Sequence, residues 1–269
     1  MINENELKVF VSALGIADKE LSAIQSKVYN YGFVNNSPYE VLTGGKYGGI
    51  VSEYLARFEE FSKVEFNSTK YKTFGKLSEA ISSNKIDIFY NYYNLDTKYF
   101  KLDSLANISF VIASRIENNL LVNSVYSLSG KEVYVLKNSI LEKYLNSLGG
   151  IDVKTYNDER DLKKLGSRDC FIVLDKESFN YYHESILDKY NVRYENVLSE
   201  TYNFYVKNND TFNILFNKYI QVLDPLEIKI VGLYNHKATI QAGTVLGHIA
   251  EYSLIFIALV GIIVFFGYR

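Results

Sequence analysis

The side chains able to do covalent chemistry are few and far apart. Cys170 is the only cysteine, and the histidines are His183, His236 and His248. Nucleophilic catalysis needs a base within hydrogen-bond reach of the attacking group and a third group to orient that base. No histidine here has a nucleophile or a paired carboxylate at such a spacing. A single cysteine excludes an intramolecular disulfide, and a zinc site would have to be assembled from scattered histidines and carboxylates. Gly44, Gly45, Gly48 and Gly49 cluster, but without the Gly-Lys-Ser/Thr of a phosphate loop or Rossmann spacing, and turn geometry accounts for them. The chain is read as a non-enzyme with no metal and no cofactor.

Recognition chemistry is better supplied. Asn138 and Ser139 precede a helical segment, where free N–H groups and the positive dipole end suit a carboxylate; Asn138 equally fits a plain helix cap. Asp175, after an apolar run, suits an amino group or caps the helix that follows it. Tyr39 after one apolar run, and Asn91, Tyr92, Asn94, Thr97 and Lys98 after another, offer hydroxyls, amides, rings and one cation.

These residues need a scaffold that sets strand ends against one another, and the chain is patterned for it. With 269 residues and 48% hydrophobic content it holds enough apolar material for one large core or two ordinary lobes. Its 29 basic and 31 acidic residues give no general attraction to nucleic acid. Short β-branched or aromatic runs alternate with helical-period segments, the pattern of parallel sheets covered by helices.

One lobe is predicted from strands at Lys27–Phe33, Lys63–Phe66 and Ile86–Tyr90, with helices at Gly49–Phe61 and Thr73–Ser82. The pattern restarts near Ile116: strands Glu132–Leu136, Val153–Tyr156 and Phe171–Leu174 alternate with helices Ser139–Leu148, Glu159–Leu165 and Glu177–Tyr190. Strands Arg193–Val197 and Tyr202–Val206 and a helix Thr211–Leu223 follow, returning to complete the first lobe. The expected domains are an N-terminal extension or linker from an upstream module (1–26), lobe 1 (27–115 and 199–223), lobe 2 (116–198), a juxtamembrane linker (224–250) and a membrane span (251–268). The crossings between lobes are expected near Ser109–Glu117 and Ser199–Asn203.

Several segments, in order, resemble the family 3 extracellular solute-binding proteins, which have the type 2 periplasmic-binding or Venus flytrap fold. They are KVYNYGFVNNSPYEVLTGGKYGGIVSEYLARF, LSEAISSNKIDIF, LSGKEVYVLKNSILEKYL, CFIVLDKESFNYY and YNFYVKNNDTFNILFNKYIQVL. The resemblance covers about 200 residues and implies a two-lobed α/β fold that binds a small polar solute in the cleft between lobes. It implies a ligand site at the strand-end loops, hence Tyr39, Asn91, Tyr92, Asn94, Thr97, Lys98, Asn138, Ser139 and Asp175. Amino-acid binders of the family carry an arginine shortly after the third strand, where its planar fork clamps a carboxylate. This chain has NLDTKYFKLD there, with Lys98 and Lys101 but no arginine, which argues against a standard α-amino acid.

At the other end, Tyr252–Tyr268 is an uncharged run dominated by Leu, Ile, Val and Phe. At 1.5 Å per residue it reaches about 25 Å as a helix, near the thickness of a bilayer core. Tyr252 and Tyr268 flank it as interfacial aromatics, with Arg269 on the expected cytoplasmic side. The resulting expectation is a single-pass membrane protein with its two-lobed domain extracellular. It would sense a solute, homodimerise if signalling requires it, and pass lobe closure to an output domain. The alternatives are the tethered receptor of an importer and a degenerate flytrap serving as an interaction module.

Overall fold

The structure is a computed structural model that describes residues 4–103, 106–235 and Ser253. The chain begins with helices α1 (Glu4–Ala13) and α2 (Asp18–Gln25), then strand β1 (Val28–Phe33) and a hairpin of β2 (Val41–Thr43) and β3 (Lys46–Gly48). Next come α3 (Ile50–Ser62), β4 (Glu65–Lys70), α4 (Phe74–Ser82), β5 (Ile88–Asn91) and β6 (Phe100–Lys101). The second half runs β7 (Asn107–Arg115), β8 (Glu132–Leu136), α5 (Ile140–Leu148), β9 (Asp152–Tyr156), α6 (Glu159–Leu165), β10 (Phe171–Asp175), α7 (Lys176–His183) and β11 (Tyr190–Thr201). Finally β12 (Asn203–Val206) and α8 (Asp210–Val222) close the first half, and a helix over 225–235, here α9, follows.

Two five-stranded sheets result. One has the order β4-β1-β5-β12-β6, the other β11-β7-β10-β8-β9. Each mixes parallel crossovers, such as β1 on β4 and β8 on β9, with antiparallel strands, such as β12 on β5 and β7 on β10. The α/β two-lobed architecture expected from the alternating pattern is thus the architecture found.

The first lobe is held by aromatic packing. The predicted stripe of α3 buries Ile50, Val51, Tyr54, Leu55, Phe58 and Phe61, and α8 buries Phe212, Leu215, Phe216, Tyr219 and Ile220. Their rings interlock: Phe58 meets Phe216 edge-on at 4.7 Å, and Phe61 stacks on Tyr219 at 4.4 Å. Such pairs add about 0.5–1.5 kcal/mol beyond simple burial. Gly49 starts α3 at φ 107°, and a Cβ there would lie 2.3 Å from the Tyr39 carbonyl. The glycine is needed because two backbones touch.

Three expectations change, and one is filled in. The N-terminal segment, expected only as an extension or linker, packs on the first lobe: Leu7, Val11, Ile16 and Ile24 join its core, and Phe10 packs edge-on against Phe61. The first crossing does not lie at Ser109–Glu117, because β7 occupies Asn107–Arg115 and pairs with both β10 and β11 inside the second sheet. Its unbroken run Phe110–Ala113 is buried on both faces, as a central strand requires. Arg193–Val197 likewise belongs to β11 in the second sheet, not to the returning first lobe. The helix expected over Glu177–Tyr190 ends at His183, where the Tyr182 carbonyl collects the N–H groups of Ile186 and Leu187 in a tight turn.

The chain recrosses between Thr201 and Asn203. Asn203 donates through Nδ2 to the Leu102 carbonyl at 2.9 Å, fastening the returning strand to the end of β6. The expected membrane span at 251–268 lies outside the described residues apart from Ser253. Among the described residues no helix is long and apolar enough to cross a membrane.

Candidate functional site

The strand-end loops of the two sheets face one another across a crevice of about 1240 Å³. Its first wall is the turn Val34–Ser37, the segment Lys70–Gly75 leading into α4, and Tyr92–Tyr93 after β5. The opposite wall is Leu136–Ser139, the segment Tyr156–Asp161 with Lys163 and Lys164, and Asp175, Ser178 and Tyr182 around the start of α7. Tyr202, at the crossing, forms the floor.

The crevice has two unlike zones. Near the crossing the lobes touch directly. The Tyr39 hydroxyl donates to Asp175 Oδ1 at 2.7 Å, and the Ser178 hydroxyl, whose one proton is shared with the nearer Asp175 carboxylate, lies 3.3 Å from the Ser37 carbonyl. Tyr39, Tyr92 and Tyr202 pack together with ring centroids 5.1 to 5.8 Å apart. Backbone joins as well: Asn94 N–H donates to the Asn138 carbonyl and Ile140 N–H to the Tyr92 carbonyl, at 2.9 and 3.1 Å. Tyr93 and Ser139 form an isolated antiparallel bridge.

Further out the walls are polar and solvent-facing. Lys70, Lys72, Lys137 and Lys163 are exposed there. Asp158 instead caps α6 and pairs with Arg160 at 2.7 Å. Asp161 is hydrogen-bonded by Asn157 and paired with Lys164, which holds its carboxyl down at about 2.

Asp175 is buried without a cation. It caps α7, accepting from the Ser178 N–H at 3.0 Å and the Ser178 hydroxyl at 2.8 Å, in addition to Tyr39. Burial raises its pKa, and those hydrogen bonds pull the other way. The Tyr39 hydroxyl is raised in turn by burial and by the Asp175 charge.

A second buried carboxyl, Glu40, sits inside the first lobe. It accepts from the Tyr31 hydroxyl and, at 2.9 Å, from Tyr47, and burial pushes its pKa up to about 8 against those bonds. The Tyr92 hydroxyl lies beside the same carboxyl and helps to lower its pKa, yet no contact of good hydrogen-bond geometry reaches it. Tyr92 therefore bears on the charge of Glu40 without a well-formed bond to it.

The residues predicted from sequence divide accordingly. Tyr92, Asn138, Ser139 and Asp175 line the crevice. Tyr39 lies behind it with its hydroxyl spent on Asp175. Asn91 is buried and turns inward, its amide oxygen accepting from the Tyr93 N–H. Asn94 contributes backbone only. The Thr97 hydroxyl accepts from the Tyr99 N–H at 3.3 Å, and Lys98 and Lys101 are exposed away from the lining. The cap of α5 is Ser139, which accepts from Glu142 N–H. Asn138 stands one residue earlier at φ 61°, its carbonyl used between lobes. Asp175 accepts two hydrogen bonds on Oδ1 and one on Oδ2 from the protein's own groups.

Sequence reasoning missed Lys70–Gly75 and Asn157–Lys164. Both span a strand-to-helix connection and the start of the helix after it, capped by Thr73 and Asp158, and the rule that selected Asn138 and Ser139 selects them too. Among the described residues no group of histidines, cysteines and carboxylates is placed to hold a metal.

Solved structures share this arrangement. The Bordetella pertussis BvgS periplasmic VFT2 domain superposes with a TM-score of 0.64 at 15% identity, covering 79% of this chain and 95% of that one. The arginine-bound form of truncated ArgBP from T. maritima gives 0.59 at 20% identity, over 77% and 100% of the two chains. An ancestral arginine-binding protein bound to glutamine gives 0.61 at 20%, over 78% and 95%. At such identities the likeness establishes a periplasmic-binding, Venus flytrap fold. No family model matches the sequence, and no curated protein does.

Proposed function

We propose that this chain is the extracellular sensing domain of a membrane protein, of the family 3 solute-binding type. A small polar solute entering the outer crevice shifts the balance between lobe arrangements, and α9 carries the shift to the run 252–268, taken as a membrane span, and so to a cytoplasmic signalling domain. The observation that carries the reading is that α9 is tied to both lobes at once. Lys229 on α9 pairs with Glu177 of α7 in the second lobe at 2.6 Å. Two residues away, Glu227 pairs with Arg57 of α3 in the first lobe at 2.8 Å. A change in lobe angle must therefore strain or release one of these pairs, which is what differential coupling of a ligand to an output element requires.

A small polar solute is supported by the polar outer crevice and by two of the similar structures, one bound to arginine and one to glutamine. The proposed contacts are Tyr92, Asn138 and Ser139, together with the lysines at 70, 72, 137 and 163. Without the arginine fork, recognition of a carboxylate would fall to lysine point charges and to the N–H groups at the starts of helices.

A thermal-shift screen of the full chain in detergent, with millimolar amino acids, polyamines, nucleosides and small acids, tests this. At least one class is expected to raise Tm, as mass action on the folded state demands, and Lys72→Glu with Lys163→Glu is expected to abolish that shift. No shift from any class counts against solute sensing. A second reading is favoured by the Tyr39–Asp175 and Ser37–Ser178 contacts, which close the inner cleft with the protein's own groups: a self-latched module whose partner is another protein. It predicts no solute shift, with a change in scattering radius when Tyr39→Phe breaks the latch.

A further inference from the structure

Helix α9 is bound to the body of the protein along one side only. Its start is capped by Asp224, which accepts from Leu226 N–H at 2.9 Å. Ile228 is buried in the core of the first lobe. Gly232 presses so closely on the start of α3 that a Cβ would lie 2.8 Å from the Ile50 Cα. The polar side chains of α9 are used on that inward side or its flanks: Glu227 with Arg57, Lys229 with Glu177, and Asn235 with Glu53 at 3.5 Å.

The outward side is the reverse. Leu226, Ile230 and Tyr234, each four residues apart, are 60%, 57% and 72% exposed, and Val222 just before the helix is 66% exposed. Residues at this spacing form one ridge. Leu223 and Leu233 lie half-buried along its inner flank. A helix seated along one side, its charged groups paired with the body and its large apolar side chains aligned outward, is a surface awaiting a partner.

We propose that α9 pairs in parallel with α9 of a second copy of this chain, through Leu226, Ile230 and Tyr234. The like helix is indicated by the repeat of the ridge itself and by its short distance in sequence from the uncharged run. Leu226, Ile230 and Tyr234 repeat at one helical spacing, so the ridge runs unbroken along α9 and a second copy offers an equal one. Only 16 residues separate Asn235 from the uncharged run that begins at Tyr252. This step rests on the membrane reading above: two copies anchored by that run in one plane present the same ridge at the same height, and a two-fold axis along the helices sets each ridge against its equal.

Cross-linking of the full chain, reconstituted in bilayer discs, tests the pairing. Cys170 is buried and serves as the silent background. Ile230→Cys is expected to form a disulfide dimer about tenfold faster than Val197→Cys on the exposed face of β11, because pairing raises effective concentration. Ile230→Glu is expected to convert the dimer seen by mass photometry in detergent to monomer. Equal cross-linking rates at the two positions overturn the proposal. So does a dimer that survives Ile230→Glu, or an unaltered chain that is monomeric because lipid or its own residues beyond 235 cover the ridge. Flotation with vesicles reports on the anchor separately. A chain that floats but does not cross-link at Ile230 loses the pairing alone, and one that cross-links without floating keeps it.

Discussion

Glu40 and Asp175 are both carboxyl groups buried without a cation, and their partners distinguish what builds a lobe from what joins two. Glu40 is served by Tyr31 and Tyr47, residues of the neighbouring strand β1 and of the adjoining hairpin. Asp175 is served by Ser178 beside it and by Tyr39 from the opposite lobe, 136 residues away in sequence. A buried polar group left unpaired is costly wherever it lies. Inside a lobe that cost is relieved only by unfolding, whereas across a cleft it is also avoided by opening.

The largest effect is expected from Glu40→Ala. It strands two buried hydroxyls and opens a small void, for a loss of about 3 kcal/mol in urea unfolding, whereas Glu40→Gln keeps an acceptor and loses less. Equal losses in the two variants would mean that hydrogen bonding is not what holds Glu40.

Asp175→Ala is expected to cost about 2 kcal/mol, roughly half from the lost α7 cap and half from the stranded Tyr39 hydroxyl. Unlike Glu40→Ala it should also enlarge the radius of gyration in solution scattering. An unchanged radius would make Asp175 as local as Glu40.

The pH response comes next. Both pKa values are raised by burial, so the folded state keeps protons that the unfolded chain releases. Since stability falls with pH wherever the native state binds more protons, this contribution is full below the ordinary carboxylate range and declines as pH rises. For Glu40 the decline runs from its ordinary 4.5 to about 8 and then levels off. Stability measured across that window is expected to fall less in Glu40→Gln than in the unaltered chain. A fall of the same size in both would place the proton elsewhere.

The smallest effect is that of Tyr39→Phe, which removes one hydrogen bond and keeps the ring packed, for about 1 kcal/mol. Its use lies in the contrast with Tyr31→Phe: the first should loosen the lobes and the second should not.

Much of the architecture was legible because both lobes are built from amphipathic periods. The α3 and α8 stripes and the central strands β1, β5, β8 and β10 follow directly from apolar spacing. β7 was not, because an unbroken apolar run at a place where a crossing is expected has no alternation to mark it as a strand. The site was legible by rule more than by residue. Strand ends before helices do line the crevice, but which side chains face it depends on pairing between residues more than a hundred positions apart. No local pattern shows that Tyr39 and Asp175 satisfy each other, or that Lys98 turns away. The uses of Lys229 and Glu227 were hidden for the same reason: each partner lies in a different lobe.

Sensing by this fold requires two lobes whose separation changes while each stays intact. The most direct measurement is the distance between spin labels at Lys72→Cys and Lys163→Cys, one on each wall of the crevice, in the full chain. A short distance is predicted in the unaltered background and a longer population when Tyr39→Phe or Asp175→Ala is added, with no such change for Glu40→Gln. A single distance, unmoved by either cleft substitution, would contradict it.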